Sequence, residues 1–239
     1  MTDKHKDIQK LLSSMPDRFY ILEEGIDVQT QKEYIDYSHS FDRGELTEKE
    51  TINLGNILFD TQTKTDAKKK VLTLLAHLGT ITAFRLIEKY FRNPDNDLKQ
   101  WTALALQECK MFLESTLTDQ SAGFISSGLG GLNDKLRYFF LVLSSSDQPF
   151  TPIQKSIIKE EFNFAAKGLN CIIEAVDQAD TYVGLTVLVP MDVAVGIFVE
   201  TGINKCNELG NFVFEHYYVT NQEIPDKSEI PDIIKKVKE

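Results

Sequence analysis

The chain has few of the residue types that build redox, metal or disulfide chemistry. Its three cysteines, Cys109, Cys171 and Cys206, are odd in number and far apart, which predicts a reducing compartment rather than a disulfide framework. Its four histidines show no His-x-x-x-His spacing, and no Cys-x-x-Cys pair accompanies them. We therefore predict no metal, no cofactor and no catalytic residues.

Long hydrophobic runs are also absent. No uninterrupted apolar run reaches the roughly 18–20 residues that a membrane-spanning helix needs. The densest apolar stretch, 183–199, is interrupted by Pro190 and Asp192. The first residues lack the basic and apolar regions of a secretory signal. These absences predict a soluble cytoplasmic protein with no membrane partner.

Basic residues are in deficit, because the formal net charge is −10 and the pI is about 5.0. An acidic surface repels phosphate backbones, which predicts that the protein does not bind nucleic acid, although a local basic patch can override this repulsion. The deficit is uneven. Residues 42–119 hold 12 acidic and 11 basic side chains, whereas residues 136–220 hold 10 acidic and 5 basic ones. The two halves therefore differ in electric field.

What the chain does contain is enough apolar material for two domains, with 42% apolar residues in a length of 239. Residues 2–12 predict a short amphipathic helix, and residues 13–45 fit either a helix or a hairpin. From Thr47 the pattern is helical, and Thr47 with Glu50 forms a capping box. Asp66, Thr80 and Asp97 are the predicted caps of three further helices, and Gly79 is the predicted stop of the first of these.

Part of this helical region has the character of a repeat. Placing Asp66 over Asp97 aligns apolar positions at an offset of 31 residues. The stretch 84–106 resembles a HEAT repeat, with an apolar helix, an Asn-Pro-Asp-Asn-Asp turn and a second helix. Leu98-Lys99 stands where the family prefers Val-Arg. The resemblance implies helices stacked by their apolar faces, commonly with a protein-binding surface; a simple helical bundle is the alternative.

The second half has a different pattern. Residues 121–134 are rich in Gly and Ser and predict a linker between a helical domain, 1–120, and a second domain, 135–220. The second domain is predicted to contain strands over 136–143, 171–178, 182–189 and 213–220. Helices capped by Thr151 and Asp192 are predicted between them, and residues 221–239 form a tail with a short helix. This βαββαβ order indicates a ferredoxin-like fold, an antiparallel sheet with strand order 4-1-3-2. The predicted fold class is therefore α+β in two domains.

Two sets of residues are candidates for ligand binding. Gly128, Gly130 and Gly131 would let backbone N–H groups surround a phosphate, but a helix precedes them and a strand follows, so an interdomain hinge is favoured. The second set consists of aromatic side chains that either line the open face of the sheet or belong to the core: Tyr138, Phe140, Tyr217 and Tyr218.

Charged residues supply the other candidates. A row of basic side chains on the predicted helices is either a solvated face or a docking surface for an acidic partner: Lys68, Lys69, Arg85, Lys89, Arg92 and Lys99. Glu174, Asp177 and Asp180 predict a solvated hairpin tip. His216 and Glu174 lie on opposite edges of the predicted sheet, about 14 Å apart, which excludes a hydrogen-bonded dyad.

No constellation in the sequence carries an evident reaction. The sequence therefore predicts a non-enzymatic interaction or scaffold protein with a protein partner or a homodimer. A metabolite sensor that binds a small molecule at the open sheet face is one alternative, and an enzyme of unrecognised type is another.

Overall fold

The structure is a computed structural model that describes residues 18–40, 46–146 and 148–239. The helix predicted over residues 2–12 lies outside the described residues. The protein is a mixed α+β molecule. In chain order its elements are β1 (Arg18–Ile21), α1 (Val28–Ser38), α2 (Glu48–Asn56), α3 (Thr65–Leu78), α4 (Ile81–Phe91), α5 (Lys99–Thr118), β2 (Ala122–Ile125), β3 (Gly131–Leu132), β4 (Lys135–Ser144), α6 (Pro152–Gly168), β5 (Ile172–Gln178), β6 (Tyr182–Pro190), α7 (Val195–Glu208), β7 (Val213–Thr220) and α8 (Ile230–Lys238).

The chain divides into two compact units. The first holds the described residues up to Leu22 together with Gln29–Ile125, and it contains helices α1–α5. The second holds Glu23–Val28 and Ser126–Glu239, and it contains the larger sheet with helices α6–α8.

The predicted helix starts of the first unit are confirmed at two positions. Thr47 accepts a hydrogen bond from the Glu50 amide and completes a capping box, and Thr80 caps α4 by accepting from the Ala83 amide. Gly79 ends α3 in the left-handed conformation at φ 55°, which glycine adopts without steric cost.

The predicted caps at Asp66 and Asp97 are wrong. Helix α3 begins at Thr65, so Asp66 lies inside its first turn, where a carboxylate still favours the helix dipole. Asp97 lies within a 3₁₀ turn, Asn96–Leu98, that precedes α5 and closes with a bond from the Leu98 amide to the Asp95 carbonyl. An N-cap needs extended backbone, which neither residue has.

Residues 13–45, for which the sequence left helix and hairpin open, contain β1 and α1. Strand β1 pairs in parallel with β2, in the register Arg18 to Ala122 through Ile21 to Ile125. Strand β2 therefore occupies part of the segment predicted as a linker. The two strands are about a hundred residues apart in sequence, so local patterning could not reveal their pairing.

The sheet of the second unit is antiparallel throughout. Its central strand β4 pairs with β6 on one side and with β7 on the other, and β5 lies outside β6. The short strand β3 pairs with the start of β4, on the same side of β4 as β7, and places Gly131 opposite Leu136. Strands β5 and β7 are therefore edge strands, which confirms that Glu174 and His216 lie far apart.

Side chains alternate between the two faces of β4 and pack into two cores. Phe140 and Val142 lie under α6 and α7 with Phe162 and Phe198. Phe139, Leu141 and Leu143 lie on the opposite face, where Ile230 and the apolar side of α8 pack on them. The tail helix thus covers part of the sheet face that ferredoxin-like order would leave open.

Helix starts in this unit follow one prediction and depart from another. Thr151 caps α6, as predicted, and it also forms a capping box with Gln154, while Pro152 occupies the first turn. The predicted cap of α7 at Asp192 is wrong, because the helix begins at Val195 and Ala194 holds the N-cap position. The Val193 amide bonds to the Pro190 carbonyl, so a tight turn intervenes.

Candidate nucleic-acid interface

The three predicted phosphate-loop glycines lie where the backbone crosses itself closely. A Cβ on Gly128 would lie 1.7 Å from the Gln222 carbonyl oxygen, and one on Gly130 would lie 2.2 Å from the Glu23 carbonyl oxygen. The Gly131 amide donates to that same Glu23 carbonyl. The chain itself fills this space, so these residues act here as a close-packed crossing; ligand binding at them stays a prediction.

The four candidate aromatic residues do not share one face. Phe140 is buried under the helices with its ring 5.4 Å from that of Phe198, and Tyr138 packs beside it. Tyr217 donates to Glu200 of α7 at 3.3 Å, on the same side. Tyr218 lies on the opposite side, with α8.

Several residues of the predicted basic surface form ion pairs with neighbouring carboxylates. Lys68 is buried and bonds to Asp95 at 2.7 Å, and this bond lowers the pKa of the Asp95 carboxyl. Lys69 lies 4.3 Å above the Trp101 ring and 3.6 Å from Glu33. These two lysines therefore serve the packing of the first unit rather than a cationic face.

Most of the remaining residues of this predicted surface belong to α4 and its C-cap, Arg92. Glu88 accepts a hydrogen bond from Arg85 at 2.8 Å and lies 4.0 Å from Arg92. Its carboxylate therefore neutralises part of the basic charge on this helix. Lys89 lies 4.8 Å above the half-exposed ring of Phe59. Lys99 is exposed at the first residue of α5. Such i,i+3 and i,i+4 pairs are typical of a solvated helix face.

A buried polar cluster that the sequence did not indicate joins three helices of the first unit. Glu108 of α5 accepts from Tyr34 of α1 at 2.6 Å and from Ser38 of α1 at 2.9 Å. Ser38 Oγ also lies 2.9 Å from Nε2 of His77 on α3, whose Nδ1 has no partner among the described residues. Burial, and then the charge of Glu108, raises the pKa of Tyr34 well above its usual value.

The proton count shows what this cluster can do. Ser38 has one hydroxyl proton, and it is donated to the Glu108 carboxylate. The contact with His77 therefore requires Nε2–H to donate to Ser38, so that nitrogen cannot remove the serine proton. A serine nucleophile needs a base in the opposite protonation state. The cluster accordingly reads as a structural network that fixes α1 against α3 and α5.

A second unpredicted pair lies in the second unit. Arg137 of β4 reaches across β6 and binds both carboxylate oxygens of Glu174, with Nη2 to Oε1 at 3.0 Å. Its Nη1 donates to the Leu129 carbonyl at 2.6 Å, and the bond to Glu174 raises the pKa of the guanidinium. The pair secures the Gly128–Gly131 crossing against the sheet.

One cleft combines concavity with positive charge, and we call it the lysine cleft. It lies between the start of α6 and the edge strand β5, has a volume of about 570 Å³, and is lined by Phe150, Pro152, Lys155, Ser156, Lys159, Val176 and Gln178. Val176 and Gln178 point to the helix-covered side of β5, since their register partners Leu185 and Val183 belong to that core. A volume of this size is within the usual range of ligand sites.

The charge of the lysine cleft comes from two side chains one helical turn apart. Lys155 and Lys159 are the only charged residues that line it within the described part of the chain. The helix end adds little, because Pro152 has no N–H and the Gln154 amide is already bonded to Thr151. Carboxylates lie at the rim: Asp180 is 4.0 Å from Lys155, and Ser156 donates to Glu160 at 3.4 Å.

This local charge stands out in an acidic unit. Between residues 136 and 220 there are five basic residues, and two of them line the lysine cleft. Arg137 is held by Glu174, and Lys205 is held by Glu208 at 2.9 Å. The i,i+4 spacing of Lys155 and Lys159 was readable in the sequence, but the strand that completes the cleft was placed beside them only by the fold.

Two other kinds of site are absent from the described residues. In residues 18–40, 46–146 and 148–239 no three His, Cys, Asp or Glu side chains are grouped so as to hold a metal ion. None of the helices in that part of the chain has the length and apolar character to cross a membrane.

Comparison with known proteins gives structural similarity alone. No family model and no curated protein matches the chain. A structure provisionally assigned as a transposase of Deinococcus radiodurans R1 aligns with a TM-score of 0.35 and 13% identity, over 44% of this chain and 89% of that one. A REP-associated tyrosine transposase bound to a REP hairpin aligns with a TM-score of 0.33 and 9% identity, over 42% of this chain and 63% of that one.

These matches correct the functional predictions. The prediction of a non-enzymatic interaction or scaffold protein, with its metabolite-sensor alternative, is wrong because both neighbours are transposases, which are enzymes. The predicted exclusion of nucleic acid is contradicted as well, since the second neighbour is bound to a REP hairpin. The predicted resemblance of the helical region to HEAT repeats is likewise unsupported. At TM-scores below 0.5 the likeness assigns no activity to this chain, so the function is argued from the lysine cleft.

Proposed function

We propose that this protein binds nucleic acid and that the lysine cleft contacts the phosphate backbone. The observation that carries the proposal is a concave site in which Lys155 and Lys159 are the only charged lining residues among those the structure describes. Ammonium groups one helical turn apart, about 5–6 Å at their Cβ atoms, can contact neighbouring phosphates. Ser156 and Gln178 add hydrogen-bonding groups, and Val176, 37% exposed, adds an apolar wall.

The charges of the second unit determine how tightly the cleft is expected to bind nucleic acid. The acidic surface around the cleft opposes a polyanion, whereas the two lysines attract it. We therefore expect weak, salt-dependent binding, with a dissociation constant on the order of 10⁻⁴–10⁻⁶ M near physiological salt, as for non-specific binding. Each lysine–phosphate contact contributes about 0.7–0.9 to the slope of log K against log salt concentration.

The test is the salt dependence of binding of a labelled DNA oligonucleotide to the full chain. The variant K155Q/K159Q should lower the slope by about 1.4–1.8. The control K167Q removes one charge at the other end of α6, about 12 Å or more from either lysine along the helix axis. A slope that falls equally in K167Q, or that stays the same in the double variant, would overturn the proposal.

The finer description of the fold is also a proposal. We infer that residues 135–220 form a ferredoxin-like domain, supported by the βαββαβ element order and by the strand order β7-β4-β6-β5. The bounds 1–120, 121–134 and 221–239 of the helical domain, the linker and the tail remain predictions. Three buried cysteines without disulfides support a cytoplasmic location.

A further inference from the structure

Asp180 lies at the mouth of the lysine cleft with its carboxylate directed at one of the two cleft cations. Its Oδ1 is 4.0 Å from Nζ of Lys155, and its side chain is 87% exposed, whereas that of Lys155 is 23% exposed. The carboxylate is therefore the solvated partner of this pair, and the lysine is the more buried one.

The backbone around Asp180 is held on two sides, which keeps the carboxylate at the cleft. The Asp180 carbonyl accepts the Phe150 amide at 2.7 Å, and the neighbouring Thr181 carbonyl accepts the Ser144 amide at 2.9 Å. The Ala179 amide closes the β5–β6 hairpin by donating to the Tyr182 carbonyl. Phe150 is itself a lining residue, so the hairpin tip is tied directly to the wall of the cleft.

We propose that Asp180 is an internal competitor for the anionic ligand of the lysine cleft, so that its carboxylate occupies Lys155 when the cleft is empty and must be displaced when a phosphate enters. This inference rests on the proposed function. The displaced carboxylate then lies beside the bound phosphate, and like charges at such a distance repel each other. Asp180 thereby weakens binding, most strongly at low salt, and makes it less dependent on salt, because salt screens its repulsion of the phosphate along with the attraction of the lysines.

The expected change in affinity follows from the solvent exposure of the Asp180–Lys155 pair. Exposed ion pairs contribute about 0.2–1 kcal/mol, which corresponds to a change in affinity of about 1.4- to 5-fold. Replacing Asp180 by Asn removes the charge and keeps the shape, and the hydrogen bond from Phe150 is made by the backbone carbonyl, so the hairpin is retained. We therefore expect D180N to bind a DNA oligonucleotide about 2- to 5-fold more tightly at low salt.

The matched control is D192N. Asp192 follows the far end of β6, about 26 Å from the hairpin along the strand, and its replacement changes the net charge of the protein equally. D192N should leave the affinity within about 1.4-fold of the parent chain, below the smallest effect of an exposed pair. An equal gain in D192N and D180N would show that only net charge matters and would overturn the inference.

A double-variant cycle shows whether Asp180 acts through Lys155. In a K155Q background D180N should have a smaller effect than in the parent chain, because the competition has been removed. An undiminished gain in that background overturns the inference, as does the absence of a gain in the parent chain. Either result leaves the proposed function intact if K155Q/K159Q still lowers the salt slope, whereas an unchanged slope overturns the proposed function itself.

Discussion

The hydrogen bond between Tyr34 and Glu108 should be among the strongest single contacts of the first unit. Tyr34 is fully buried, and its hydroxyl donates to a buried carboxylate at 2.6 Å. Hydrogen bonds to charged groups contribute about 1.5–3 kcal/mol, and a buried group left without its partner costs about 1–3 kcal/mol. We therefore expect Y34F to lower the free energy of unfolding by about 2–3 kcal/mol.

A double-variant cycle isolates the contact. E108Q keeps the size of the side chain and removes its charge. Tyr34 and Ser38 donate to different oxygens of Glu108, whereas a glutamine amide has one oxygen, so one of these hydroxyl groups loses its acceptor. The coupling energy from Y34F, E108Q and the double variant should be about 1.5–3 kcal/mol. The Tyr20–Glu114 pair of the same unit is more exposed and is the control, with an expected coupling of about 0.5 kcal/mol or less because water screens it.

The assay is urea unfolding at pH 7 followed by tryptophan fluorescence. Trp101 is the only tryptophan of the chain, it belongs to the first unit, and its ring lies 5.0 Å from that of Tyr34. The signal therefore reports the unit that contains the contact. A coupling energy for Tyr34 and Glu108 no larger than that of the control pair would refute the assignment of Glu108 as the buried acceptor.

The pH dependence gives a second reading of the same contact. The pKa of Tyr34 is raised in the folded state, so its contribution to stability is fully present below its unfolded value near 10 and is lost as the pH rises above that value. Y34F should remove this part of the alkaline loss of stability. A Y34F chain whose unfolding midpoint falls as steeply as the parent between pH 10 and 12 would contradict this reasoning.

Three further outcomes are expected. Burial raises the pKa of Cys109 and of Cys206 to about 12, so alkylation of both at pH 8 should be roughly a thousandfold slower in the folded chain than in urea, as mass spectrometry would show; equal rates contradict their burial. Gly128→Ala should lower the unfolding free energy of the second unit by about 2 kcal/mol or more, measured by urea unfolding, because the new Cβ meets backbone; an unchanged midpoint would place the crossing elsewhere. Asp95→Asn should cost about 1 kcal/mol at pH 7, since it leaves Lys68 buried without its anion, and the loss should vanish as the pH falls through the lowered pKa of Asp95; a constant difference down to pH 2 would refute the pairing.

Local signals in the sequence predicted much of the secondary structure. The capping box at Thr47, the cap at Thr151 and the stop at Gly79 depend on residues within four positions of one another, and each was confirmed. The apolar strands β4 and β6 were likewise placed within about two residues of their bounds. Caps at Asp66, Asp97 and Asp192 were wrong by a few residues, because an acidic residue near a helix start does not reveal which backbone position remains extended.

The sites were less predictable, because each depends on residues far apart in the chain. Glu108 is an ordinary glutamate in the sequence, and only the packing of α1 against α5 brings Tyr34 and Ser38 to it. Lys155 and Lys159 are visible as a pair, whereas the β5 wall and the Asp180 carboxylate that complete their surroundings come from another element. The net charge of −10 averages over the whole surface, so it could not indicate that two lysines line one cleft of an acidic unit.

The sequence by itself determined the local order of this protein: a helical first half, a βαββαβ second half and an acidic composition. Those features follow from periodicity, capping and composition, which act over a few residues or over the chain as a whole. Tertiary structure alone decided that β1 pairs with β2, that α8 covers the second face of the sheet, and that two lysines face a strand edge beside Asp180. Such contacts join segments whose meeting depends on burying apolar faces together, and no local pattern encodes that choice.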